Sequence, residues 1–90
     1  MNENEIEIPI HVEFRDSKTG GRIKATAPRT QATRNYNHFA TVEDNYREAG
    51  WACLAAFMAK LGVDLAEANV TLEGSQVLQL EAYYRYTVRW

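Results

Sequence analysis

Few residues in this sequence carry the chemistry of a base, a nucleophile or a metal ligand. The histidines are His11 and His38, and the one cysteine is Cys53. A nucleophile needs an oriented base beside it, and a metal needs three or four ligands converging at suitable spacing. The chain contains no CxxC, HExxH, GxSxG or glycine-rich phosphate loop, and no paired carboxylates stand in an apolar setting. His11 alternates with Glu7 and Glu13, which suits a surface charge partner better than a catalytic base. The expectation is a non-enzymatic protein without metal or cofactor residues and without a small-molecule substrate.

Cations and aromatics offer a second chemistry, the recognition of phosphates and bases. The formal net charge of −2 is unevenly spread: residues 15–39 hold six basic residues against one acid, and the remainder four against eleven. Arg22, Lys24, Arg29 and Arg34 could contact phosphates, and Tyr36 could stack on a base. Arg85 and Arg89 add to this set from the outer face of the last strand. The glutamates interleaved on the same faces oppose an anionic partner. Nucleic-acid binding through the 15–39 region and that outer face is therefore the second choice.

The first choice rests on the segment TVEDNYREAGWACLAAFMAKLG, Thr41 to Gly62. Thr41 is placed to cap the first turn, Glu43 and Asp44 follow it, Lys60 sits near the end, and Gly62 suits the stop. Tyr46, Gly50, Leu54, Phe57 and Leu61 recur every three to four residues as one apolar stripe. Ala49 to Ala59 contains no charged residue, so Trp51, Ala55 and Met58 form a second apolar face. A helix lying on a sheet needs only one. The extra face predicts a protein interface made by Trp51, Ala55 and Met58, with self-association into a homodimer, and an adaptor or inhibitor role. Small acidic chains of this kind are common among bacterial and bacteriophage proteins.

These groups need a frame. Ninety residues predict a single domain, and one this small buries only about 60% of its unfolded surface. Residues 5–15 alternate as a strand, with Ile6, Ile8, Ile10, Val12 and Phe14 inward; Pro9, on the outward side, implies an unpaired flank or a bulge. Asp16 to Gly21 reads as a turn, and Arg22 to Ala27 as a second strand. Pro28 to Ala40 has no period and reads as an exposed connection, with Phe39 either stacking on a base beside Tyr36 and His38 or packed under the helix start. After the helix, Asp64 caps a short turn, Val70 to Leu72 is a brief strand, and Glu73 to Ser75 turns into a long strand, Leu78 to Trp90. The order is ββαβ, or ββαββ: a small antiparallel sheet with the helix on one face, an α+β two-layer sandwich whose first and last strands are neighbours. No run is long and apolar enough to span a bilayer, and the acidic N-terminus is unlike a signal peptide. The expectation is a cytoplasmic protein with no membrane partner.

Overall fold

The computed structural model describes residues 3–17 and 20–90. Five strands form one antiparallel sheet: β1 (Glu5–Ser17), β2 (Gly20–Ala27), β3 (Thr30–Asn35), β4 (Asn69–Val77) and β5 (Glu81–Arg89). The spatial order is β3-β2-β1-β5-β4, with the helix α1 (Val42–Lys60) on one face and a short 3₁₀ turn at Leu65–Glu67. This is the expected α+β two-layer fold, with β1 beside β5. The expected order gains one strand.

The added strand is β3, which lies in the segment read as a loop. Its residues Thr30, Gln31, Thr33, Arg34 and Asn35 give no hydrophobic alternation, so no strand pattern is visible. Pairing with β2 from Ala27↔Thr30 to Arg22↔Asn35 forms it instead. The connecting turn is tight enough to put Arg29 at a positive φ of 58°. A second correction concerns Glu73 and Gly74. They form no turn but a bulge inside β4, where the register shifts between Leu72 and Gly74. The reversal comes later, at Leu78–Leu80, closed by the Leu78 N–H donating to the Glu81 carbonyl. Lys18 and Thr19, part of the turn expected over Asp16 to Gly21, lie outside the described residues.

Pro9 pairs only with Arg85 of β5, because the β1–β2 ladder stops at His11↔Thr26. One flank is open there, as a residue without an N–H requires. The helix ends also follow the sequence. The Thr41 hydroxyl accepts from the Asp44 N–H, and Gly62 takes φ +77° after the last turn.

Side-chain size decides where the helix sits. Under α1 the sheet offers Ala25, Ala27 and Ala32, and the helix returns Ala49, Gly50 and Cys53. A Cβ on Gly50 would meet Tyr84 and Val12 at ordinary van der Waals distance, so this face of the helix lies close on the sheet. The helix therefore lies over β1, β2 and β3 and barely reaches β5. On that uncovered side the sheet supplies Tyr84 and Tyr86, whose rings fill the space a second helix would occupy.

Candidate protein interface

The structure separates the three residues proposed for association. Met58 is 0% exposed and belongs to the core, which removes it from any surface. It follows Leu54 by one turn, so the buried stripe runs through Tyr46, Gly50, Leu54 and Met58. Leu61, assigned to that stripe from spacing, is instead an exposed C-cap. Ala55 is half-buried against the core. Trp51 is 45% exposed, and its ring stands edge-on to Tyr86 with centroids 6.1 Å apart.

Trp51 is the centre of an apolar shelf beside the helix. Tyr84 and Tyr86 form the floor, stacked at 6.1 Å, and Leu72, opposite Tyr86 in the β4–β5 register, is 46% exposed at the edge. Arg47, one turn before Trp51, lies close enough for its charge to act on both tyrosines. Burial raises both phenols above their ordinary value of 10.0, and Arg47 partly offsets this. Neither hydroxyl has a hydrogen-bond partner among the described residues, and neither is sealed from solvent. Trp51 and Leu72 are the exposed apolar groups of this shelf, and Trp and Arg are among the residues that dominate protein interfaces energetically.

The proposed phosphate contacts are dispersed. Arg22, Lys24, Arg85 and Arg89 share the bare face of the sheet, opposite the helix. Arg34 pairs with Ile23 and so points to the helix side, along a shallow cleft with Glu48 and Trp51. Arg29 sits in the β2–β3 turn, at the far end of that hairpin from Arg22, and its carbonyl accepts from Lys60 at 2.7 Å. Tyr36 is half-buried, edge-on to Phe14 at 5.4 Å and to His38 at 5.0 Å. On the bare face, Arg85 meets Glu7 at 3.2 Å and Arg89 meets Glu5 at 2.5 Å. Exposed pairs of this kind add little stability, but they offset the positive charge a phosphate would seek.

His11 stacks on Tyr83 at 4.6 Å, and its ring nitrogens lie 3.5 Å from Glu13 and 3.7 Å from Glu81. The expected partner Glu13 is thus found, while Glu7 turns to Arg85. The Tyr83 hydroxyl donates to Glu81, which raises its phenol. A cleft of about 720 Å³ opens beside this stack over Pro9, Pro28 and Arg85.

Of the two positions expected for Phe39, the packed one is overturned: it is 102% exposed, not packed under the helix start. The turn that carries it is built by side-chain amides. The Phe39 N–H donates to Asn37 Oδ1 at 3.0 Å, and buried Asn45 bonds Asn37 through both backbone groups. The sequence cue was Asn37 followed two residues later by a large apolar residue, an Asx turn that lifts its neighbour outward.

The chain matches no family model, and no curated protein or solved structure matches it.

Proposed function

We propose that this chain is a non-enzymatic protein-interaction module, of the adaptor or inhibitor type, that binds another protein through the shelf beside its helix. Trp51 anchors the contact over the buried rings of Tyr84 and Tyr86, Leu72 adds exposed apolar area, and Arg47 supplies polar contacts. The observation behind the reading is Trp51, half-exposed with its ring edge-on to Tyr86. The pairing of Arg85 and Arg89 with Glu7 and Glu5 favours this reading over nucleic acid.

The test uses the whole chain as bait, in three forms: wild type, Trp51→Glu, and Arg22→Glu with Lys24→Glu. A protein captured by the wild type is purified and its affinity measured for each form. The expected result is a loss of about thirty-fold or more with Trp51→Glu, as for an interface hot spot, and little change with the charge reversal. Equal affinity for the wild type and Trp51→Glu overturns the shelf. Recovery of nucleic acid alone, released steeply by salt, moves the second reading to first place.

A further inference from the structure

The end of the molecule where the helix begins carries an apolar knob beside an apolar hole. The knob is Phe39, wholly exposed on the turn between β3 and α1. The hole is a cleft of about 310 Å³ whose apolar walls are Phe14, Tyr36, Val42, Tyr46 and Leu80, with His38 and Gln79 as its polar members. His38 and Val42 flank the knob in sequence, so knob and hole lie on one patch. Val42 is half-exposed and Leu80 is 61% exposed at its rim.

Both parts are built rigidly. The knob stands on the Asn37–Asn45 hydrogen bonds, which fix the turn whether or not anything is bound. Asn45 also donates to the Thr41 carbonyl at 2.8 Å, tying the turn to the helix cap. One wall of the hole is the edge-to-face series Phe14, Tyr36 and His38, and Phe14 lies directly over Gly21, where a side chain would collide with its ring. The Tyr46 hydroxyl donates to the Gln79 carbonyl at 3.1 Å and holds the β4–β5 turn that presents Leu80. An anchor held in its bound shape loses little freedom on docking.

We propose that this end is a self-association surface, in which Phe39 of each of two copies enters the hole of the other about a two-fold axis. A patch that contains both a knob and the hole it fits satisfies a two-fold reciprocally, each copy giving and receiving the same contact. The hole has room for a phenyl ring, and no Asp, Glu, Lys or Arg among the described residues lines it. Burying a phenylalanine removes about 150–250 Å² from water, so the two anchors together supply about a quarter to two-fifths of the roughly 1,200 Å² that a small specific dimer buries. Val42 and Leu80 at the rim supply part of the rest, and the outcome is a weak, concentration-dependent dimer. The surface is separate from the Trp51 shelf, so the proposal does not rest on that reading and either can fail alone.

The test is sedimentation equilibrium of the full chain across about 1 µM to 1 mM, the range in which weak dimers dissociate. Wild type is expected to approach twice the chain mass at the upper end. Phe39→Ser removes the knob without touching the core, and circular dichroism identical to wild type verifies its fold. Leu80→Glu spoils the hole while leaving the knob. Each variant alone is expected to weaken association about thirty-fold or more. Mixed together, Phe39→Ser and Leu80→Glu retain one intact knob and hole, so the mixture is expected to associate more tightly than either variant alone. A wild type that stays monomeric throughout overturns the proposal. So does a Phe39→Ser dimer as tight as wild type, a dimer lost instead with Trp51→Glu, or a mixture no tighter than its components.

Discussion

Asn45 holds Asn37 from both sides: its side-chain oxygen accepts from the Asn37 N–H at 2.8 Å, and its amide donates to the Asn37 carbonyl at 2.9 Å. The pair is eight residues apart, and Asn45 is buried, so the contact reinforces a turn whose own backbone pairing is the Ala40 N–H donating to the Asn37 carbonyl at 3.2 Å. Asn45→Leu removes three hydrogen bonds, from the Asn37 N–H and to the Asn37 and Thr41 carbonyls, all on exposed residues that water can reach. The expected loss is about 1–3 kcal/mol in urea unfolding, the net worth of those bonds together with a loosened helix start. Asn45→Asp keeps the acceptor and removes the donor, so a smaller loss is expected. Equal stability of all three proteins would contradict the role given to this side chain.

Met58 and Trp51 lie two turns apart on one helix but belong to different environments. Met58→Ala opens a cavity in the core and is expected to cost about 2–5 kcal/mol. Trp51→Ala sheds a half-exposed ring and is expected to cost about half as much or less. Chemical denaturation of both variants measures the difference. A Trp51 substitution that unfolds the chain would show that the ring is core and not interface.

Gly21 has no room for a methyl group because Phe14 covers it and Tyr36 lies close behind. Gly21→Ala is expected to displace the Phe14 ring and destabilise the fold by about 1–3 kcal/mol, the usual cost of overpacking. Near-ultraviolet circular dichroism should change with it, because Phe14 and Tyr36 sit edge to face. A variant with unchanged stability and spectrum would mean that Phe14 moves aside freely.

Tyr46, Tyr84 and Tyr86 all have phenols raised above 10.0, first by burial. The unfolded chain therefore releases these protons at lower pH than the folded one does. Their contribution to stability is complete below pH 10 and is lost as pH rises from there through the folded values. The expected result is a flat stability from neutral pH to about 10, then a decline in which tyrosinate absorbance and loss of structure rise together. Full ionisation of every tyrosine near 10 in a still-folded protein would contradict the burial of these rings.

The sequence by itself determined the layers. Alternation in β1, β2 and β5 identified the inward faces residue by residue, because a strand's two-residue period leaves no ambiguity once one face is apolar. The helix was legible from its caps, and Trp51 from an apolar excess that one sheet contact does not use. Tertiary structure decided what local pattern could not. β3 exists because β2 offers it a ladder, not because its own residues alternate. Met58 falls in the core and Trp51 at the surface because one helix covers three of five strands, and the size of the sheet's side chains, alanine beneath and tyrosine beside, sets its position. Phe39 points to solvent because Asn45, eight residues from Asn37, completes a turn whose geometry no hydrophobic period records.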